Sequence, residues 1–140
     1  MALSIPERYT LRAAEPEDLE TALALFNACS IAWIGRPQMD TDALRTEWGS
    51  PTLNLAADTQ AVFDDDQMIG YIEVWDSAPH VKLYFWGRVH PEHWGEGIGT
   101  YLVQWAETRA QKSVPQAPEG TPVVLSQDMP GEAKRSHALL

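Results

Sequence analysis

Residues 90–107 read HPEHWGEGIGTYLVQWAE, with Gly95, Gly97 and Gly99 at every second position and helix-forming residues immediately after them. Glycine loses more backbone entropy on folding than any other residue, so a cluster this dense marks a backbone that bends sharply or lies close against something else. The preceding stretch, 81–89, is rich in Val, Tyr, Phe and Trp and predicts a central strand ending at Val89. Beyond the glycines, Tyr101, Leu102, Trp105 and Ala106 fall at helical spacing within 100–111. A strand, a tight turn and a helix in this order leave several backbone N–H groups facing one concavity, which suits a phosphate. The structural alternative is a glycine-rich connection that holds no ligand.

Working outward, 9–12 reads as a short opening strand, and Pro16, Glu17 and Asp18 as a helix start with acid near the positive end of the dipole. Leu19, Ala22, Leu23, Phe26 and Cys29 form an apolar stripe that predicts a helix from about 17 to 30. Residues 31–37, with Trp33, Gly35 and Pro37, read as a loop, after which Asp40 or Thr41 caps a second helix through Trp48. Strands at 60–63 and 68–75 flank a polar turn and form a hairpin, and residues 77–80 make the next turn. Alternation along 81–89 puts Leu83, Phe85, Gly87 and Val89 on one face and Tyr84, Trp86 and Arg88 on the other. Both faces are bulky, so both are expected to be covered, which points to an α/β arrangement of helices packed on a sheet. The proline-rich stretch 113–122 is an irregular connection, 123–126 a short apolar strand, and 131–140 a last helical pattern.

A chain of 140 residues is sized for one domain with a real hydrophobic core. It opens with no basic flank, apolar run and cleavage site, and no stretch approaches the roughly eighteen apolar residues of a span, so a cytoplasmic protein is expected. The single cysteine, Cys29, sits in an apolar helical context and reads as a small buried hydrophobe. A net charge of −10 argues against a nucleic-acid surface, which needs clustered Lys and Arg. The acid is uneven, however: Arg88, Arg109, Lys112, Lys134 and Arg135 all fall late, so a small anionic ligand can meet locally positive potential. No metal site is expected.

Two phosphate loops fail to match. The P-loop requires Lys and then Ser or Thr after its last glycine, where this chain has Thr100 and Tyr101 after Gly99. The dinucleotide fingerprint, begun at Gly95, requires glycine at the position of Thr100, and it follows an opening strand rather than a fourth one. The run from Val89 to Thr100 instead resembles the acyl-CoA pyrophosphate loop of the GNAT family of N-acetyltransferases. That pattern is Arg or Gln, two free positions, Gly, one free position, then Gly or Ala. Gly97 and Gly99 match its glycines, while Trp94 stands where Arg or Gln is usual, a departure that weakens one side contact and leaves the backbone nest. Leu11-Arg12-Ala13 with Pro16-Glu17-Asp18 is similar to the family's first strand and helix start, and 68–71 to its third strand.

The resemblance implies a mixed, mostly antiparallel central sheet flanked by helices, with acetyl-CoA or another acyl-CoA laid between a splayed fourth and fifth strand. It implies that Arg88, Val89 and His90 offer backbone groups to the pantetheine arm. Trp94, Gly95, Glu96, Gly97, Ile98, Gly99 and Thr100 would surround the pyrophosphate, and the amide of Val89 or its neighbour would polarise the thioester carbonyl. A small-molecule or peptidic amine attacks directly, so a base is needed. The candidates are Glu73, whose carboxyl Trp75 and other apolar neighbours would lift toward neutrality, and His90, which also reads as a cap before Pro91. Trp33 and Trp75 are candidate walls of the amine pocket. The family often protonates the leaving thiolate with a Tyr, and alignment puts Leu140 at that place and Ala133 where Asn is common. These departures favour an alternative, a non-catalytic acyl-CoA-binding or structural half of a tandem protein; a third reading is an interaction domain with an empty loop. Family domains continue with two more strands, so the single domain 1–140 is expected to be incomplete at its C-terminus, the front part of a longer or tandem protein. Otherwise a second copy, as in a homodimer, would cover the sheet edge at 123–126.

Overall fold

The computed structural model describes residues 8–37, 39–76, 82–120, 124–128 and 134–138. Within them the chain forms one sheet of six strands: β1 (Tyr9–Arg12), β2 (Thr59–Asp64), β3 (Gln67–Asp76), β4 (Lys82–Val89), β5 (Val124–Asp128) and β6 (Lys134–Ala138), side by side in chain order. Every described pairing is antiparallel except β4 with β5. That one is parallel because a helix crosses between the two strands. The helices are α1 (Leu19–Ile34), α2 (Thr41–Trp48), the single turn α3 (Leu55–Asp58) and α4 (Ile98–Gln111).

The alternation of β3 and β4 divides the core in two. Ile72, Val74, Leu83 and Phe85 pack beneath Ile98 and Leu102 of α4. Tyr71, Met68 and Phe63 pack on the opposite face against Phe26 of α1 and Leu44 and Trp48 of α2. Both faces are therefore covered, and each large apolar side chain removed from water contributes roughly 1.5–3 kcal/mol. Gly70 sets how closely α4 can approach, since a Cβ there would lie 2.7 Å from Ile98 Cγ2. At the other end of α4, the Arg109 guanidinium bonds Asp58 Oδ1 at 3.0 and 2.8 Å and Ser113 Oγ at 3.1 Å. Asp76 lies 3.5 Å away and accepts from the Ser113 hydroxyl, so one half-buried cation fastens α4 to α3 and β3.

Local signals place the helices. Asp40 caps α2, its Oδ1 accepting from Ala43 N–H at 2.7 Å. A 3-10 turn, Pro16–Asp18, leads into α1, and Asp18 accepts from Glu15 N–H while pairing with Arg12. Two expectations need correction. α1 runs on to Ile34 and stops at Gly35, in the left-handed region at φ +78°, so Trp33 stands on its last turn rather than in a loop. The last helix, 131–140, is not formed over its described part: 134–138 is β6, antiparallel to β5 from Val124↔Ala138 to Asp128↔Lys134. The unpaired side of β5 offers a row of backbone partners, and the returning chain takes them. β5 is thus an inner strand of the described sheet. The turn at 77–80, Val123 and the aligned Ala133 and Leu140 lie outside the described residues. Among the described residues no helix is long and apolar enough to cross a membrane.

Candidate active site

The glycine turn follows β4 directly. His90 N–H still bonds Ile69 O on β3 at 2.8 Å, and the chain then makes a 3-10 turn, Pro91–His93. His90 Nδ1 accepts from Glu92 N–H at 3.1 Å, so its ring does cap this turn. Gly95 and Gly97 take φ of +85° and +87°, a region that side chains disfavour. Gly97 is the N-cap of α4, with no side chain capping the helix, and the first helical bond is Tyr101 N–H to Gly97 O at 3.1 Å. The amides of Ile98, Gly99 and Thr100 therefore precede the helical ladder at the positive end of the dipole. A Cβ built on Gly95 would find nothing within 4 Å. This open cradle of uncapped donors fits a pyrophosphate. Glu96, whose charge would oppose one, is turned aside: it accepts from Tyr9 O–H at 2.7 Å and sits 3.2 Å from His93 Nδ1, contacts that hold its carboxyl below the usual range.

The same turn closes an opened strand edge. β4 and β5 pair only from Lys82↔Val124 to Phe85↔Gln127; past that point β4 has no described partner on β5. Successive peptides of a strand point to alternate sides, and that of His90 points to β3. Gly87 and Val89 therefore present their backbone groups to the open side, and Arg88 presents its own to β3. At the opening, Val89 O accepts from Trp94 Nε1 at 2.8 Å and from Cys29 Sγ at 3.2 Å. Trp94 is 53% exposed, whereas Cys29 is buried and its thiol is pushed up by desolvation.

Behind this edge, on the α1–α2 face, lies a cluster of acids and aromatic rings. Glu73 of β3 is 0% exposed. Its Oε1 accepts from Tyr71 O–H at 2.8 Å and its Oε2 from the Trp75 indole. The Glu73 carboxyl is pushed up to about 8, chiefly by burial and then by the charge of Glu47 on α2. The Trp75 donor acts against this shift, the reverse of the expected effect, because its N–H favours the ionised form. The Arg88 guanidinium lies 5.1 Å from the Trp33 ring centre and 4.9 Å from that of Trp86, and donates to Gly87 O at 2.8 Å. Arg88 thus reaches this face through its side chain, while its peptide is turned away from the opened edge where it was expected to serve. Trp75 touches Glu73 and Trp33 touches Arg88, so the two expected wall residues flank one cluster, and His90 remains with the glycine turn.

Glu47, Tyr71 and the Arg88 side chain are the members that sequence reasoning missed. For Glu47 a signal existed: Leu44, Glu47 and Trp48 fall at i, i+3 and i+4, which sets the acid at the margin of the buried stripe. Elsewhere, an open groove of about 460 Å³ beside Gln60, Trp105, Arg109 and Lys112 follows the far half of α4 and includes neither the glycine turn nor Glu73. Among the described residues no group of three or more His, Cys, Asp or Glu could hold a metal ion.

The sequence profile of the Acetyltransferase (GNAT) family matches residues 20–118. No curated protein matches the sequence. The crystal structure of a GCN5-related N-acetyltransferase from Sphaerobacter thermophilus is similar with a TM-score of 0.81 at 30% identity, over 89% of this chain and 39% of that one. The chain therefore spans about two fifths of that relative's length. An N-acetyltransferase from Staphylococcus aureus has a TM-score of 0.63 at 18% identity, over 85% of this chain and 72% of its own. A Salmonella typhimurium protein solved with its cofactor acetyl-CoA has a TM-score of 0.59 at 21% identity, over 86% and 69% respectively. At these lower identities the likeness is one of fold.

Proposed function

The chain belongs to the Acetyltransferase (GNAT) family, and on that footing we propose that it is an acyl-CoA-dependent N-acyltransferase, moving acetyl from acetyl-CoA to a primary amine by direct attack. The observation that carries this reading is the opened edge of β4 running into an uncapped glycine cradle. In it, the backbone at 95–100 holds the pyrophosphate, with Trp94 alongside, and the peptides of Gly87 and Val89 line the pantetheine arm. A bound acyl-CoA supplies an activated thioester at that edge. The Val89 amide, on the open side of β4, stabilises charge on a carbonyl oxygen there. Glu73 takes the proton from the amine, and a carboxyl titrating near 8 is suited to hold it at neutral pH. Trp33 and Trp75 wall the acceptor, a small-molecule or peptidic amine. Cys29 is no nucleophile in this scheme, since burial keeps its thiol protonated and directed at Val89 O.

A second reading, an acyl-CoA-binding domain without transfer, is favoured by Trp94, whose indole N–H is engaged on Val89 O where an Arg or Gln would reach outward. Incubation with acetyl-CoA and a panel of amines, read by release of the CoA thiol, separates the two. Transfer supports the first, CoA binding without transfer the second, and absence of both removes both.

A further inference from the structure

Arg88 differs from Arg12, Arg45 and Arg109. Each of those three is answered by an aspartate, at 2.8, 3.3 and 2.8 Å, whereas among the described residues no acid lies within ion-pair distance of the Arg88 guanidinium. Arg88 is half-buried, and burial pulls it down from its ordinary range. What holds it is aromatic, the Trp33 ring at 5.1 Å and the Trp86 ring at 4.9 Å. Among the described residues it donates one hydrogen bond, to Gly87 O at 2.8 Å, and a guanidinium carries five N–H donors. A cation fixed in place by rings, with donors to spare and no acid paired to it, suits an anion that the chain does not supply.

The position of this cation narrows the anion. Register sets Tyr71 opposite Arg88 and Glu73 opposite Trp86, so Glu73 and Arg88 are diagonal neighbours on one face, about 7–8 Å apart at the backbone. Neither is spent on the other, since the two Glu73 oxygens accept from Tyr71 and Trp75. Gly87 O, to which the guanidinium is tied, belongs to the stretch of β4 beyond its last β5 partner, at Phe85↔Gln127. The cation therefore stands where the opened edge and the acid cluster meet. Trp33 is 47% exposed, which leaves the guanidinium open to a small molecule from the α1 side. A singly charged carboxylate is matched by one guanidinium, while the second charge of a phosphate would meet Glu73 unanswered. We propose that Arg88 binds a carboxylate on the acceptor, which makes the acceptor a free amino acid rather than a simple amine.

The proposal rests on the reading of the chain as an N-acyltransferase with Glu73 as the base. A free amino acid carries an ammonium and a carboxylate on one small molecule, and the two fit an acid and a cation set diagonally. As the N–C bond forms and the C–S bond breaks, one of the three ammonium protons stays on the amide nitrogen. One goes to the departing sulfur, and one is taken by Glu73 and released to water. The carboxylate is untouched and stays on Arg88, so the product is an N-acetyl amino acid.

The test uses the whole chain and matched pairs: alanine, serine, leucine, phenylalanine and lysine, each against the amino alcohol in which a hydroxymethyl group replaces the carboxylate. Affinity by ligand-observed NMR with CoA present needs no turnover. The parent should bind at least one amino acid about tenfold more tightly than its amino alcohol, and kcat/KM for acetyl transfer should favour the same member by a similar factor. In Arg88→Gln that ratio should fall to within about threefold of unity. In Arg88→Lys, which keeps the charge but not the planar fork, it should fall to an intermediate value, and this variant keeps the test open if the Gln variant does not fold. A merely structural Arg88 would weaken both members of a pair together and leave the ratio standing. The phosphonate analogue of alanine should bind less tightly than alanine. A parent that binds no amino acid more tightly than its alcohol, a ratio unchanged in the folded variants, or a preference for the phosphonate overturns the proposal. If the parent transfers acetyl to no amine at all, the proposed function falls, while the binding ratios still decide whether Arg88 holds a carboxylate.

Discussion

The two faces of the sheet are built for opposite tasks. Where β4 meets α4, the groups available to a ligand are backbone amides, exposed and without side chains to crowd them. On the α1–α2 face the available groups are side chains, an acid sealed from water and a cation held between aromatic rings. The first is contiguous in the chain, 95–100. The second gathers Trp33 from α1, Glu47 from α2, Tyr71, Glu73 and Trp75 from β3, and Arg88 from β4. A site made of backbone is announced by glycines, and its chemistry does not depend on which acid lies across the sheet. A site made of side chains depends on register, since a slip of one residue along β3 would turn Glu73 to the α4 face.

If the faces are separable, damage to one should spare the other. The largest effect is expected from Arg109→Met, which leaves buried Asp58 without the guanidinium that pairs with it. Chemical denaturation should show a loss of about 3–5 kcal/mol. The glycine turn lies at the opposite end of α4, so any fraction that remains folded should bind CoA as the parent does. Next, Glu73→Gln should lower amine transfer about a hundredfold or more with CoA affinity within about twofold of the parent, since it removes only the proposed base. A loss of CoA affinity of the same size would merge the two faces into one.

A smaller effect concerns pH. The folded protein holds a proton on Glu73 up to about 8, whereas an ordinary carboxyl releases it near 4.5. Between those values the folded state binds more protons than the unfolded one, so this contribution is fully present at low pH and is lost as pH rises through about 8. The parent should lose on the order of 1–3 kcal/mol relative to Glu73→Gln across that window, read by denaturation at each pH. In the same window the transfer rate should rise with pH, because the proposed base, Glu73, must be deprotonated to accept a proton. The smallest effect is expected at Glu96→Gln. Its charge is already answered by Tyr9 and His93, so CoA affinity by calorimetry should change less than about threefold.

The contrast between the faces also explains what could be read in advance. The hairpin of β2 and β3, the strand ending at Val89 and the helix after the glycines follow from periodicity and turn residues. Trp33 was misplaced because Ile31 to Ile34 contains no breaker, and the stop signal is Gly35, beyond it. β6 was missed because its short polar sequence carries no alternation; what makes it a strand is the partner offered by β5, which is a tertiary fact. The nest was legible because glycine is its only requirement. Glu73 could be nominated from its strand, but Glu47, whose charge comes second to burial in raising the Glu73 carboxyl, enters only once α2 is laid over β3.

Whether the glycine turn holds acyl-CoA is measured most directly by calorimetric titration of CoA into the parent and into Gly97→Val. A branched side chain at φ +87° is strained and would obstruct the turn. The parent should bind one CoA per chain, and the folded variant should bind at least tenfold more weakly while the Glu73 titration stays where it was. A folded variant that binds CoA as tightly as the parent, or a parent that binds none, would contradict binding at this turn.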